Sequence, residues 1–460
     1  MYGKPMRRVA APVALALGVA FLAVLATAAH PREEGVHGLR SVQTTTSAIA
    51  GALPVTAGPR AAAATWCGAP TPVDLAPNVV AGHPVHWVYA IPSDGADSLA
   101  AVANQMQADA EEIDAWWRRE DPARAPRNDI AQLPCGAQLD LSSIRMQLSG
   151  GQLAGTDARF RAIADGIGLA GFNSDFTKYV VYYDGPVQEA DICGQAASSP
   201  TGFGVAIVYV QACPGVLTAP VAAHELLHTF GAVPDGAPHN CPAPNDGHTC
   251  DHQGDLMHPF IEGATPLSAQ LLDPGRDDYY GHAAGFTDSQ DAPWLLQLDR
   301  QTPFTVSISG PGRVSANVPG LQCTQTCTTT WNAGTALSLA ATPGAGSKLV
   351  RWSGACSGAG GCNVATAQGA AVTALFGPLV FRLRVTISGR GSVRSSRSGL
   401  TCRPRCSATF PSFTPVRLTA TPAKGWRFRS WAGACRGTRP ACSLPMNAAA
   451  SARAVFVRRR

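Results

Sequence analysis

The pattern of apolar and polar positions predicts a body that contains both strands and helices. Residues 86–91 alternate between apolar and polar side chains, and residues 179–183 and 205–210 are apolar runs of strand length. Residues 99–117 carry apolar side chains at helical spacing, with acidic residues on the opposite face. Residues 219–230 continue with a second helical pattern after the last of these strands.

Beyond residue 302 the chain contains two copies of one unit. The copies are offset by 79 residues, so that Trp352 and Cys356 correspond to Trp431 and Cys435. Runs rich in Thr and Val, glycine turns and paired cysteines predict two small all-β domains whose modest cores are stabilised by disulfides. Both copies resemble the cysteine-containing repeat domains found at the C-terminal ends of many exported bacterial proteins.

The first residues predict export. Lys4, Arg7 and Arg8 precede an uninterrupted apolar run at residues 9–29 that ends in small side chains, which is typical of a signal peptide. The run is also long enough to span a bilayer, so an uncleaved N-terminal membrane anchor is the alternative. In either case we expect a secreted or cell-surface protein.

The cysteines support the same compartment. All 14 lie beyond residue 66, and an even number in an exported chain predicts up to seven disulfides. A zinc ribbon built from the paired cysteines is less favoured, because exported thiols oxidise. The spacing favours local pairs between Cys241 and Cys250, Cys323 and Cys327, Cys356 and Cys362, Cys402 and Cys406, and Cys435 and Cys442. The remaining cysteines are then Cys67 with Cys135 and Cys193 with Cys213.

Charge is divided unevenly along the chain. Residues 30–302 carry 13 basic and 31 acidic side chains, whereas residues 380–460 carry 17 basic side chains and no acidic ones. We therefore expect the second repeat to bind anionic partners such as a cell-wall polymer or polysaccharide. Specific nucleic-acid binding is less favoured, because few aromatic side chains are interleaved with the arginines.

Candidate chemistry is concentrated in the second predicted helix, in the sequence Ala222-Ala-His-Glu-Leu-Leu-His-Thr-Phe-Gly231. His224 and His228 lie one turn apart on the same helix face, so both imidazoles can bind one ion, and Glu225 lies beside them. This stretch resembles the metzincin zinc endopeptidases, whose pattern is His-Glu-x-x-His-x-x-Gly-x-x-His. The first eight positions of the pattern match, but Pro234 occupies the position of the last histidine.

The third zinc ligand therefore has to come from further along the chain. Asp255-Leu-Met-His-Pro259 resembles the methionine turn of the family, with Met257 beneath the site. His248 precedes Met257 by nine residues, similar to the spacing in matrix metalloproteinases, and we assign it as the third ligand. His239 and Asp235 are the alternatives.

The resemblance implies a fold class and a mechanism. The fold class is α+β: a metzincin-like catalytic domain, with a twisted sheet and a zinc-binding helix, followed by two small all-β repeats. It also implies one catalytic Zn²⁺, with Glu225 as the base that activates water for attack on a peptide bond. Substrate is expected along residues 205–210 as the edge strand. We divide the chain into a signal peptide or anchor (1–29), a linker or prosegment (30–66), the peptidase-like domain (67–302), and the two repeats (303–379 and 380–460).

Other candidate residues lie downstream of the helix. His258, Tyr279 and Tyr280 are candidates for stabilising the oxyanion, because Pro259 occupies the position of the tyrosine that several metzincins use. A calcium site is the less favoured interpretation of a nearby acidic group, because its spacing fits no EF-hand loop and solvated loop charges explain it better. That acidic group consists of Asp273, Asp277 and Asp278.

Two functions from different classes remain at this point. The first is an exported zinc endopeptidase that acts on protein or peptide substrates and is attached to an anionic surface by its repeats. The alternative is a non-catalytic adhesion or wall-binding protein with a structural zinc site, for which a closed set of four ligands, with His239 as the fourth, would be expected. The presence of Glu225 favours the enzyme, because a structural site does not need that carboxylate.

Overall fold

The computed structural model describes residues 36–42, 65–69, 71–74, 81–283, 285–397 and 399–459. The predicted export segment at residues 1–29 lies outside the described residues, as does most of the stretch 30–66. Within the described parts of the chain, no helix is both long enough and apolar enough to cross a membrane.

The body combines strands and helices, and the predicted strands and helices form close to their predicted positions. Its strands and helices, in chain order, are β1 (Val36–His37), β2 (Arg40–Val42), β3 (Val85–Ile91), α1 (Leu99–Glu120), β4 (Arg124–Pro126), β5 (Ile130–Leu133), β6 (Gly136–Leu139), β7 (Leu141–Arg145), α2 (Gly150–Leu153), α3 (Thr156–Leu169), β8 (Lys178–Tyr183), β9 (Gly194–Ala197), β10 (Gly204–Tyr209), α4 (Thr218–Thr229), β11 (Phe260–Glu262) and β12 (Leu295–Gln297).

A mixed sheet forms the centre of the body, with the strand order β1-β9-β10-β8-β3-β7. The pairs of β7 with β3, β3 with β8 and β8 with β10 are parallel, whereas β9 is antiparallel to β10 and β1 is antiparallel to β9. Strands β3, β8 and β10 are buried along their whole length, which agrees with their nearly continuous apolar sequences. Helix α4 follows β10 directly and packs on β9 and β10.

The strand order corrects one expectation. Residues 205–210 were expected to form the edge strand, but β10 lies between β8 and β9. The antiparallel strand β9 is further out, and β1 pairs with its outer side. The physical reason is that the four residues of β9, which precede β10 in the chain, carry no apolar pattern, so a strand outside β10 could not be predicted.

Each repeat is a sandwich of two four-stranded sheets with the same strand order. In the first repeat, the orders β16-β13-β20-β18 and β15-β14-β17-β19 are formed by β13 (Gln301–Ser309), β14 (Gly312–Ala316), β15 (Gln322–Cys323), β16 (Cys327–Asn332), β17 (Ala336–Pro343), β18 (Ser347–Gly354), β19 (Cys362–Ala365) and β20 (Ala371–Pro378). In the second, the corresponding strands are β21 (Val380–Ser388), β22 (Gly391–Ser395), β23 (Thr401–Cys402), β24 (Arg405–Pro411), β25 (Pro415–Pro422), β26 (Trp426–Gly433), β27 (Ala441–Pro445) and β28 (Ala450–Arg458).

The predicted fold class is confirmed by this arrangement: a body with a mixed sheet and helices, followed by small all-β disulfide-bonded repeats. All seven predicted cysteine pairs form disulfides, and this overturns the zinc-ribbon alternative. The disulfides, together with the repeats, are typical of an extracellular protein.

A buried polar contact joins the body to the first repeat. Arg127 Nη2 donates to Asn332 Oδ1 over 2.6 Å, and Asn332 Nδ2 donates to Leu295 O over 2.8 Å. The backbone N–H of Gln297 also donates to Asn332 Oδ1, over 3.0 Å. Ala81 of the body packs into the apolar core of the repeat. Asn332 therefore joins both parts through a single buried side chain.

Candidate metal centre

The first two histidines are positioned by α4. His224 and His228 are fully buried and lie on the same helix face. The helix ends at Thr229, and Gly231 has a φ of 86°, a left-handed conformation that glycine adopts without strain. Ala232 N donates to Leu227 O over 3.1 Å, which closes the helix end and turns the chain away from its axis.

His248 is brought to this pair by a loop closed by the disulfide between Cys241 and Cys250. Cys241 N donates to His248 O over 2.7 Å, and Thr249 N donates to Met257 O over 3.0 Å. The disulfide and these backbone bonds fix the loop on both sides of the histidine.

The three imidazoles have the geometry of a metal site. One ligand atom from each of His224, His228 and His248 lies within 4.8 Å of the others. His224 Nδ1 is 2.6 Å from Leu256 O, and His248 Nδ1 is 3.1 Å from Asn245 O, so in each ring Nε2 remains for an ion.

The spacing and the missing partners of these nitrogens fit zinc. The Nε2 atoms of His224 and His228 are 3.1 Å apart. Two nitrogens bound tetrahedrally at the usual Zn–N distance would be about 3.3 Å apart. His248 Nε2 is buried and has no hydrogen-bond partner. A buried polar atom of this kind requires a partner, and a metal ion is one that suits all three rings.

Burial also sets the protonation state of the site. Desolvation lowers the pKa of His224 and His228 well below the usual value, and it lowers the pKa of His248 to about 4. The rings are therefore neutral near pH 7, which is the form that binds a metal. Burial raises the pKa of Glu225 well above its usual value, which favours a carboxyl group that can hold a proton.

Glu225 lies between the helix and the outer part of the sheet. Its Oε1 accepts a hydrogen bond from Leu39 N over 3.0 Å, and its Oε2 is buried without a partner. A Cβ atom on Gly194 of β9 would be 2.7 Å from Glu225 Cγ, closer than real Cβ atoms come. Glycine at this position therefore provides the space for the carboxylate against the strand.

The methionine turn connects the two histidine-bearing segments. Met257 is fully buried, and its N–H donates to Asp255 Oδ1 over 2.8 Å. The hydroxyl of Tyr279 donates to the same carboxylate over 2.6 Å. The carbonyl oxygen of Leu256 contacts the ring of His224, and the carbonyl oxygen of Met257 accepts a hydrogen bond from Thr249 N. The turn therefore connects α4 to the loop of His248.

The alternative third ligands lie elsewhere. Asp235 and His239 are exposed, and His239 Nδ1 is 3.0 Å from Asp278 Oδ2. The hydrogen bond to Asp278 raises the pKa of His239. A closed set of four ligands that includes His239 is thus not formed among the described residues.

Two further expectations change with the structure. Asp273 and Asp278 are buried rather than solvated, and Asp273 accepts backbone hydrogen bonds from Tyr279 and Tyr280 at 2.8 and 2.7 Å. Asp277 and Asp278 lie with His239 in a second group that could hold an ion. Tyr279 and Tyr280 are poor candidates for the oxyanion, because their hydroxyls already donate to the carboxylates of Asp255 and Asp121. Of the three candidates, His258 remains.

Sequence reasoning missed the residues that form the outer wall of the site. Leu39 belongs to the stretch interpreted as linker or prosegment, yet it is buried beside Glu225. Gly194, in β9, is the second missed residue. Both approach α4 only through pairing between distant segments, and no local pattern predicts such pairing.

Another buried group of candidate ligands lies away from this centre. It contains His86, Asp129, Asp140 and the exposed Asp74. His86 already contacts Asp129 Oδ2 at 3.1 Å and Ser142 Oγ at 3.0 Å through its two ring nitrogens. Hydrogen bonding to Asp129 raises the pKa of His86 against the effect of burial. Protein groups therefore use both nitrogens.

Both C-terminal repeats match a known family of protein domains. Residues 313–378 and 389–460 match the family described as the divergent InlB B-repeat domain. A search of curated proteins found no match.

Solved structures give weak likenesses. Catalytically inactive OgpA from Akkermansia muciniphila, in complex with an O-glycopeptide substrate, is 11% identical, with 85% of this chain and 100% of that chain covered and a TM-score of 0.24. The Bacillus anthracis TIE protein is 8% identical, with 34% of this chain covered and a TM-score of 0.25. The chain spans 33% of the TIE protein's length. The major pilin T-13 of Streptococcus pyogenes is 8% identical over 35% of this chain and 97% of the pilin, with a TM-score of 0.19.

Proposed function

We propose that the protein is an exported zinc-dependent endopeptidase whose C-terminal repeats attach it to an anionic surface. The observation that supports this most is the buried cluster of His224, His228 and His248 with the carboxylate of Glu225 next to it. Three neutral imidazoles would hold the ion and leave a coordination position open for substrate. A purely structural zinc site would not require a buried glutamate beside the histidines, and Glu225 Oε2 has no hydrogen-bond partner.

The residues divide the chemistry between them. When bound, zinc supplies Lewis-acid chemistry, polarising a carbonyl group and lowering the pKa of water. Glu225 Oε2 would take the proton from water and return it to the nitrogen of the broken peptide bond. Met257, Leu256 and the surrounding apolar residues exclude bulk water, which strengthens these electrostatic effects.

The second repeat supports surface attachment. Its 17 basic side chains have no acidic partner within residues 380–460. Arg382, Arg384 and Arg390 are exposed on its surface. A surface of this kind attracts polyanions at low ionic strength and releases them as salt screens the charges.

Cleavage of a mixed peptide library tests the catalytic role of Glu225. Wild-type protein loaded with zinc should cleave the library, whereas Glu225→Gln should bind zinc with unchanged stoichiometry and lose turnover by a factor of about 10³ or more. Glu262→Gln is the matched control, because Glu262 is exposed on β11, and it should retain wild-type activity. Loss of zinc in Glu225→Gln would show that the glutamate is a ligand, and unchanged turnover would refute its role as base.

A further inference from the structure

Residues 36–42 lie within the body, against the candidate metal centre. β1 pairs antiparallel with β9, and β2 pairs parallel with β11, the strand that follows the methionine turn. Cys193 N donates to Leu39 O over 2.9 Å, and Arg40 N donates to Pro259 O over 3.1 Å. Backbone hydrogen bonds therefore hold the segment between β9 on one side and β11 with the end of the methionine turn on the other, as an added strand is held at a sheet edge.

The amide of Leu39 contacts the proposed base. Its N–H donates to Glu225 Oε1 over 3.0 Å in a buried environment. In peptide hydrolysis, the proton that the base takes from water passes to the nitrogen of the broken bond. That nitrogen therefore has to lie within hydrogen-bond reach of the carboxylate, and Leu39 N meets this condition.

The neighbouring residue places the other end of the same peptide bond near the histidines. The ring of His37 lies 5.1 Å from that of His228 and 5.8 Å from that of His248, measured between centroids. Gly38 stands between His37 and Leu39. Its carbonyl group therefore lies in the chain between a residue whose ring is next to the histidine cluster and a residue whose N–H is bound to Glu225.

The side chains on either side of this bond suit their surroundings. A Cβ atom on Gly38 would lie 2.7 Å from Gly194 O, so β9 leaves room for glycine and excludes larger residues. Leu39 is only 2% exposed and belongs to the same buried apolar cluster as Leu256 and Ile261. The site therefore accepts glycine before the bond and a medium-sized apolar residue after it.

We propose that the protein hydrolyses its own Gly38–Leu39 bond, and that the same site prefers Gly-Leu bonds in other polypeptides. This inference rests on the proposed peptidase function. The oxygen of water adds to the carbonyl carbon of Gly38, the bond from that carbon to Leu39 N breaks, and Glu225 transfers a proton from water to Leu39 N. The second proton of the water also passes to this nitrogen, so the products are a carboxylate at Gly38 and an N-terminal ammonium group at Leu39.

The mass of the full chain after zinc addition tests the cut. Wild-type protein should convert to a chain that begins at Leu39, as read by intact mass and N-terminal sequencing. Gly38→Val and Leu39→Asp should each slow this conversion by about tenfold or more, because one clashes with β9 and the other buries a charge. Ser41→Ala, in the same segment, is the matched control and should convert at the wild-type rate.

Glu225→Gln separates self-cleavage from contamination. This variant should remain uncut at the bond, and conversion at the wild-type rate would assign the cut to another protease and overturn the inference.

A synthetic peptide with the sequence of residues 34–43 separates this inference from the proposed function. We expect cleavage of this peptide at the bond that corresponds to Gly38–Leu39. If a mixed library is cleaved while neither the chain nor this peptide is cut there, the inference is wrong and the peptidase function stands. If the zinc-loaded protein cleaves nothing, both are wrong.

Hydrogen exchange provides a readout that is independent of turnover. In the zinc-free full chain, the amides of residues 36–42 should exchange slowly in wild type and in Ser41→Ala. They should exchange about tenfold faster or more in Leu39→Asp, because the buried carboxylate expels the segment. Equal exchange in all three proteins would overturn the placement of the segment in the site.

Discussion

The disulfide between Cys241 and Cys250 should contribute directly to zinc affinity. His248 lies inside the loop that this bond closes, whereas His224 and His228 are fixed by a helix. Replacing both cysteines with serine leaves the helix unchanged but removes the cross-link from the third ligand. The loop must then be ordered when zinc binds, and the cost of that ordering appears in the dissociation constant.

The size of the effect follows from the length of the loop. The two cysteines are nine residues apart in sequence. For a loop of this length, the chain-entropy relation gives about 2.6 kcal/mol at 25 °C. This corresponds to a rise in the zinc Kd of roughly 80-fold. Backbone bonds such as Cys241 N to His248 O and Thr249 N to Met257 O keep part of the order, so the figure is an upper limit.

Competition with a chromophoric chelator measures this change in Kd for the folded variant. The double variant Cys435→Ser and Cys442→Ser is the matched control, because it removes a disulfide of similar span in the second repeat. It should leave the zinc Kd unchanged. If the Cys241 and Cys250 double variant binds zinc as tightly as wild type, the loop does not depend on its disulfide for order and the reasoning is refuted.

Asn332→Ala should lower the free energy of unfolding by about 3 kcal/mol, because it leaves buried polar groups of the body and the first repeat without partners. Urea unfolding measures this change, and Pro411→Ala, at the equivalent position of the second repeat, is the control. Equal unfolding midpoints for Asn332→Ala and wild type would contradict the prediction. Burial raises the pKa of Asp109 from 3.8 to about 6, so ionisation opposes folding and stability should fall as pH rises from 3.8 through about 6. Asp109→Asn should flatten this profile in thermal unfolding, and an unchanged slope would assign the pH dependence to other groups. Replacing Arg382 and Arg384 with serine should weaken retention on an anionic polymer and reduce its salt dependence, whereas unchanged elution would exclude this face as the attachment surface.

Local patterns in the sequence predicted much of the fold. The spacing of His224 and His228 defines one face of a helix, and Gly231 ends that helix in the conformation that glycine favours. The repeat offset predicted two equivalent all-β domains, and short spacings such as that between Cys435 and Cys442 predicted the local disulfides. These features depend on local spacing or on direct repetition of the sequence, so a single chain records them.

The outer wall of the site could not be predicted in this way. β9 has no apolar pattern, and β1 is only two residues long, so neither stands out from the surrounding loops. The contact between Leu39 and Glu225 joins residues that are 186 positions apart. Asp273 looks like a surface acid in sequence, but it is buried because several backbone N–H groups of the following turn donate to it.

Reconstitution with zinc tests the central claim most directly. Peptidase activity of the full chain is measured after zinc has been removed with a chelator and then returned in known amounts. We expect no turnover without zinc and full turnover at one equivalent per chain, with the same titration lost in His248→Ala. Turnover that persists in the zinc-free protein, or its absence when one zinc is bound by the three histidines, would contradict the account.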